Sequence, residues 1–386
     1  MQESGSPTTD SIWPRLLATA ALLYLFLVGI NCLGGGIKGL GSGVMDAYFS
    51  SDMNPVLGLL VGILATTLVQ SSSVTTALIV GMVGSGQLGV AAAVPMIMGA
   101  NIGTTVTNTL ASLAHATQDQ EFKRAFSAAT CHDFFNFLSV IVLLPVELLT
   151  RELWGRGILE TFGSRVAELT VGSSGATYKS PLKAAFKVGK HVVEGGISLV
   201  VSDERTAFIF LALSGGVIIL VTLTLIVRTM RGVVAKRIER YVNRLLGTGG
   251  PVAIVVGIVL TVMVQSSSIT TSILVPLAGA GVLRLSQVYP ITLGANIGTT
   301  VTALLASMAV SGETATAARQ IALVHLGFNL SGIAIWYIPP PLRAVPLWMA
   351  ERFAEFATQH KRWALLYVAG IFYGVPAVIV VLTGVN

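Results

Sequence analysis

QSSSVTTALIVGMVGSGQLGVAAAVPMIMGANIGTTVT, residues 70–107, returns as QSSSITTSILVPLAGAGVLRLSQVYPITLGANIGTTVT, residues 265–302. At a constant offset of 195 and without a gap, 20 of the 38 positions are identical. The identities concentrate on Gln, Ser, Thr and Asn inside apolar surroundings, which apolar bias alone cannot produce. A looser echo follows at an offset of 193, HDFFN at residues 132–136 answering HLGFN at residues 325–329. The chain is therefore two related halves, each with one QSSS and one GANIGTTVT motif.

Of the 386 residues, 53% are hydrophobic and 11% charged, and the mean hydropathy is +0.78. Soluble domains carry roughly 25% charged residues, so the chain reads as an all-α polytopic membrane protein with little soluble mass. In a soluble protein the net charge of +6 would suggest nucleic acid. Here orientation in a bilayer accounts for it, and no nucleic-acid partner is expected. Cys32 and Cys131 both fall in apolar segments and imply no disulfide framework.

The QSSS stretches decide the topology. Residues 55–84 form one apolar run interrupted at Gln70, Ser71, Ser72 and Ser73. As a single helix its 30 residues would extend about 45 Å, well beyond the roughly 30 Å hydrocarbon core. Split at the serines, it becomes two half-helices of a re-entrant hairpin, whose exposed backbone is tolerated where it lines a protein cavity. Full spans are expected at 12–33, 90–114 and 127–149, then 206–227, 287–310 and 320–338, with a second hairpin at 251–281. Each half then crosses three times, and the second is inverted relative to the first. The segment RTMRGVVAKRIERYVNR (228–244), with six Lys/Arg, falls on the side of the N-terminus, whereas the repeat-related linker 34–54 holds Lys38 alone. The positive-inside rule favours this arrangement and a cytoplasmic N-terminus.

Four regions follow. Residues 1–150 are the first repeat and 151–205 an extracytoplasmic linker loop. Residues 206–342 are the inverted repeat, and 343–386 hold an amphipathic interfacial helix and a last span, 363–382, without a first-half partner. The polar stretch 1–10 lacks a basic region and a cleavage site, so the first span is expected to be retained.

Inverted repeats with helices broken at matching positions point to a transporter whose substrate sits between the halves. Each tip offers three hydroxyls and the N-terminus of the following half-helix, which together suit an oxyanion. Neither motif holds Lys or Arg, so a dehydrated anion would lack a counter-charge, at several kcal/mol or more. Gln70, Gln265, Asn101, Asn296 and the threonines Thr104, Thr105, Thr107, Thr299, Thr300 and Thr302 supply neutral oxygens of the kind hard cations prefer. An anion bound together with alkali cations is the economical reading. Asp133, within a span and next to His132, is a functional candidate by default, and its repeat partner is Leu326.

The paired motifs, together with ATCHDFFNFLSVIVLLPVE (129–147), closely resemble the type II sodium-dependent phosphate cotransporters across nearly all of the membrane-embedded chain. The resemblance implies that Ser71, Ser72, Ser73, Ser266, Ser267 and Ser268 contact inorganic phosphate. It makes Gln70, Gln265, Asn101, Thr104, Asn296, Thr299 and Thr302 sodium ligands. Asp133 occupies the position of an aspartate found in electrogenic members, which implies three sodium ions with divalent phosphate; Ser127 departs from the alanine those members carry. Sodium is then a co-transported ligand and no cofactor is implied. The linker has no Cys and no Asn-X-Ser/Thr site, unlike the glycosylated loop of animal members, which places the protein in a bacterial plasma membrane.

Alternative roles remain for the same residues. Serines at small-residue spacing pack transmembrane helices, Asn101 and Asn296 can join helices, and His132 and His325 can be structural hydrogen-bonding groups. Asp133 can be neutralised by Arg124 or Arg319. Rival functions are an exporter or uncoupled anion pathway on the same scaffold, and an intramembrane hydrolase using Ser72, His132 and Asp133. The hydrolase fits poorly, because adjacent residues on a helix point about 100° apart and duplicated serines have no catalytic rationale.

Overall fold

A computed structural model describes residues 13–40, 53–171, 181–245, 250–312 and 314–383, with the backbone alone at 171, 181–184 and 231–245. The polar stretch 1–10 and most of the linker 34–54 lie outside the described residues. Among those described, all regular structure is helical. The first half contains α1 (Trp13–Gly39), α2 (Pro55–Val69), α3 (Ser72–Gly84), α4 (Val90–Gly103), α5 (Val106–Leu113) and α6 (Asp119–Trp154). Two helices follow, α7 (Ile158–Val171) and α8 (Pro181–Ser198). The second half contains α9 (Glu204–Leu245), α10 (Gly250–Val264), α11 (Ser267–Gly279), α12 (Leu285–Ala309) and α13 (Ala315–Trp336). The tail is α14 (Pro340–Gln359), then α15 (Arg362–Tyr367), a π-helical turn (Val368–Gly374) and α16 (Val375–Thr383).

Six of these segments are long and apolar enough to cross a membrane: α1, α4 with α5, α6, the first part of α9, α12, and the run from α15 to α16. A seventh is counted if α13 and α14, which meet at 98°, are taken together.

Glycines set the packing of the short helices. A Cβ on Gly62 would collide with the carbonyl of Met96, and one on Gly99 with that of Leu59. Further along, Gly103 lies against Thr66. Low numbers on α2 therefore meet low numbers on α4, so the two run side by side in the same direction, and α3 must carry the chain back between them. The second half repeats this with Gly257 on Ile291, Gly294 on Ile254 and Gly298 on Thr261, each pair displaced by 195 from its counterpart. The outer pair α1 and α9 behaves differently. Gly29 meets Ile218 and Ile219, whereas Gly36 meets Phe208 and Ala212, so these helices are antiparallel.

The structure refines several expectations. The region 151–205, expected as a linker outside the membrane with room for a small fold of its own, holds the helices α7 and α8 among its described residues, and α6 runs on to Trp154 before the chain turns at Gly155. Buried Glu147 explains how α7 is anchored: its carboxylate accepts from the N–H groups of Leu159 at 2.7 Å and Glu160 at 3.2 Å. Those groups have no partner inside the first turn of a helix. α7 then packs on α13 through Phe162 against Gly327 and a bond from Gln320 to the carbonyl of Glu160 at 3.0 Å. The basic segment 228–244, expected as a linker, continues α9 as one 42-residue helix. The expected span 90–114 is present as Val90–Leu113, with a two-residue turn at Thr104 and Thr105 that its repeat counterpart α12 lacks.

Candidate functional site

The two QSSS tips share one backbone design. Gln70 and Gln265, the C-caps of α2 and α10, have φ of 59° and 56° and are the only described non-glycine residues with positive φ. That conformation costs a residue with a Cβ roughly 1–2 kcal/mol, and the glutamine side chain offsets it. Gln70 Nε2 donates to the carbonyl of Thr67 at 2.7 Å, and Gln265 Nε2 to that of Val262 at 2.7 Å. Each Oε1 accepts from a threonine of the same half's GANIGTTVT motif, Thr107 at 2.9 Å and Thr302 at 2.8 Å. The two duplicated motifs of each half are thus one unit, with glutamine holding the turn and threonine holding the glutamine.

The first serine of each triplet is extended, at φ −154° in both, and caps the following helix. Ser71 Oγ accepts from Val74 N at 3.3 Å and Ser266 Oγ from Ile269 N at 3.4 Å. The tips meet where Ser73 Oγ donates to the carbonyl of Gln265 at 3.0 Å. Of the six serines, Ser73 alone donates its proton within the protein among the described residues, so Ser71, Ser72, Ser266, Ser267 and Ser268 keep donors for a ligand. Both α3 and α11 begin at this junction, which brings two helix N-termini to the same place. No described Lys or Arg hydrogen-bonds to a tip serine.

The other motif residues cross between the halves. His132 Nε2 lies 2.6 Å from Asn296 Oδ1, and His325 Nε2 lies 3.3 Å from Asn101 Oδ1. Because Asn296 Nδ2 donates to Asn136 at 3.0 Å, its oxygen is the acceptor and His132 carries its proton on Nε2. Asn136 in turn donates to the carbonyl of Asn101 at 2.8 Å. On the far side, Asn108 approaches His132 Nδ1 at 3.4 Å and accepts from Thr271 at 2.8 Å, one turn beyond the second tip. The asparagine oxygens of the sodium candidates are therefore already engaged, Asn296 Oδ1 by His132 and Asn101 Oδ1 by both His325 and Asn329 Nδ2, the latter at 3.4 Å. Thr104 and Thr299 donate to the carbonyls of Ala100 and Ala295 at 2.9 and 3.1 Å, which leaves their own oxygens as acceptors.

Asp133 is buried in α6. Its Oδ2 accepts from Thr109 at 3.2 Å and Tyr367 at 2.8 Å, whereas Oδ1 is buried with no partner in hydrogen-bond geometry; the Thr105 hydroxyl, which donates to the carbonyl of Ile102, is the further side chain beside the carboxylate. Among the described residues no cation pairs with it, and Arg124 is instead committed to the carbonyl of Gly279 at 2.8 Å. Sequence reasoning missed Tyr367, Thr109 and Asn108, whose roles appear only through contacts across the fold. It also missed the hydroxyls of Thr66 and Thr67, buried without partners in the last turn of α2. Thr107, singled out in the sequence as a neutral-oxygen residue, stands against Gln70 as its repeat counterpart Thr302 stands against Gln265.

A profile of the Na+/Pi-cotransporter family matches residues 25–159 and 218–339, one stretch in each half. The chain belongs to the Na+/Pi-cotransporter family. Within it, the chain is similar to sodium-dependent phosphate transport protein 2B of Homo sapiens, 33% identical over 94% of this chain and 64% of that protein. It is also similar to sodium-dependent phosphate transport protein 2A of Rattus norvegicus (34%, 92% and 66%) and of Oryctolagus cuniculus (36%, 95% and 67%). The chain thus spans about two thirds of the length of these relatives. No solved structure matches it. Membership of this family of transporters removes the intramembrane hydrolase from consideration.

Proposed function

We propose that the chain imports inorganic phosphate together with sodium, by alternating access between two inverted repeats whose QSSS hairpins form the substrate site. The observation that carries this reading is the meeting of the tips at Ser73 and Gln265, with five uncommitted serine donors and two helix N-termini at the junction. Antiparallel packing of the repeat-equivalent helices α1 and α9 supports the inversion, and the return of α3 and α11 supports re-entrant hairpins. The two repeats are assigned to residues 1–150 and 206–342, the region between them to the outer face, and 343–386 to an appended tail.

Phosphate contacts Ser71, Ser72, Ser73, Ser266, Ser267 and Ser268. The sodium ions are drawn from Gln70, Gln265, Asn101, Thr104, Asn296, Thr299 and Thr302, to which Thr107 is added by its bond to Gln70. Asp133 holds the third ion of an electrogenic cycle, an assignment supported by its buried, unpartnered Oδ1. A buried carboxylate without a counter-charge costs several kcal/mol, which an incoming cation relieves. The protein sits in a bacterial plasma membrane with its N-terminus in the cytoplasm.

The test is labelled-phosphate uptake into proteoliposomes with sodium, then potassium, as the only gradient and membrane voltage clamped. Uptake driven by sodium alone, with inward positive current, is expected. Equal uptake in potassium would replace this reading with an uncoupled anion pathway.

A further inference from the structure

The last span, from α15 to α16, has no counterpart in the first half, yet it reaches two of the first half's site residues. Tyr367 donates to Oδ2 of Asp133 at 2.8 Å, and Gln70 Nε2 donates to the hydroxyl of Tyr373 at 3.2 Å. The π-helical turn Val368–Gly374 begins directly after Tyr367 and contains Tyr373. Such turns occur mostly as insertions within α-helices and are frequent at functional sites. The Tyr367 ring is held edge-on by Phe353, 4.9 Å away, and by Phe372, 5.6 Å away, so its hydroxyl has a fixed place. In the second half the equivalents of Gln70 and Asp133 are Gln265 and Leu326, and neither has a tyrosine hydrogen-bond partner among the described residues.

We propose that Tyr367 is a positioning residue for a co-transported sodium ion, and that the last span is the third wall of a cation site present in the first half only. The hydroxyls of Tyr367 and Thr109 both bond Oδ2 of Asp133, at 2.8 and 3.2 Å, and leave buried Oδ1 as the oxygen presented to the ion. Donors on one carboxylate oxygen do not displace an ion from the other. They fix the rotation of the carboxylate before the ion arrives and offset part of its charge while the site is empty. The inference rests on the reading of Asp133 as a cation ligand. It adds that the carboxylate is oriented by two hydroxyls from separate elements, one of them on a helix outside the repeat.

The test compares wild type, Tyr367→Phe, Asp133→Gly and the double variant in proteoliposomes. The readouts are the sodium dependence of phosphate uptake and the charge moved per phosphate. Tyr367→Phe keeps the ring and its aromatic contacts, and it is expected to raise the half-saturating sodium concentration by roughly ten-fold, the scale of one hydrogen bond to a charged group. At saturating sodium the phosphate KM should stay at its wild-type value. In the Asp133→Gly background the same substitution should add nothing. Should Tyr367→Phe fail to reach the membrane, Thr109→Val removes the other donor and is expected to shift sodium dependence in the same direction. An unchanged or lowered half-saturating sodium concentration in Tyr367→Phe overturns the proposal, as does a shift that persists undiminished without Asp133. If Asp133→Gly alone alters neither sodium dependence nor charge, the cation-ligand reading of Asp133 fails, and the role of Tyr367 falls with it.

Discussion

Ser268→Ala separates the substrate role of the tips from their structural role. Ser268 is 8% exposed, and its hydroxyl makes no hydrogen bond within the protein among the described residues. Its repeat counterpart Ser73 donates to Gln265 across the junction at 3.0 Å. Removing the Ser268 hydroxyl therefore breaks nothing in the empty protein, and thermal stability in detergent should remain at the wild-type value. With phosphate bound, a donor to a charged oxygen is lost. Such a bond contributes about 1.5–3 kcal/mol, and 1.4 kcal/mol corresponds to a factor of ten. The phosphate KM at saturating sodium should rise about ten- to hundred-fold. Ser73→Ala should instead show a stability loss of about 1–3 kcal/mol, because the carbonyl of Gln265 is left without its donor. The assays are tracer uptake in proteoliposomes and thermal unfolding of the purified variants. A Ser268→Ala protein with unchanged KM, or one that is destabilised as much as Ser73→Ala, would refute the division of roles between the tips.

Other consequences follow from single contacts. Asp133→Gly should convert current-generating uptake to electroneutral uptake, read as charge per phosphate under voltage clamp. Gly257→Ala drives a methyl into the carbonyl of Ile291 and should cost about 3 kcal/mol or more, since backbone cannot yield as a side chain does; membrane abundance and the thermal midpoint report it. Glu147→Ala removes the acceptor for the N–H groups of Leu159 and Glu160. It should cost about 1–2 kcal/mol, as other lost helix caps do, with faster amide exchange confined to α7.

Much of the architecture was legible because it is written twice. The offset of 195 located the halves, and the polar interruption at residues 70–73 located the helix breaks. It could not explain why glutamine precedes the serines: that emerges from a left-handed backbone at Gln70 and Gln265, stabilised by Thr107 and Thr302 from 37 residues further on. The nine residues GANIGTTVT are identical in both halves, and the two copies differ in backbone only by a two-residue turn at Thr104 and Thr105 where α12 is unbroken. α7 and α8 were missed because their mixed charge resembles a solvated loop, and the apolar faces they bury are matched by α13 and α1, distant in sequence. The partners of Asp133 were illegible for the same reason, since Tyr367 lies 234 residues from it.

Equilibrium binding of labelled phosphate to the purified protein, in sodium and then in potassium at equal ionic strength, reaches the central claim most directly. A dehydrated anion held by neutral hydroxyls and helix N-termini requires cations beside it. Phosphate should therefore bind in sodium and be lost in potassium, and by linkage phosphate should tighten sodium binding by the same factor. Phosphate held equally tightly in both salts would contradict the account.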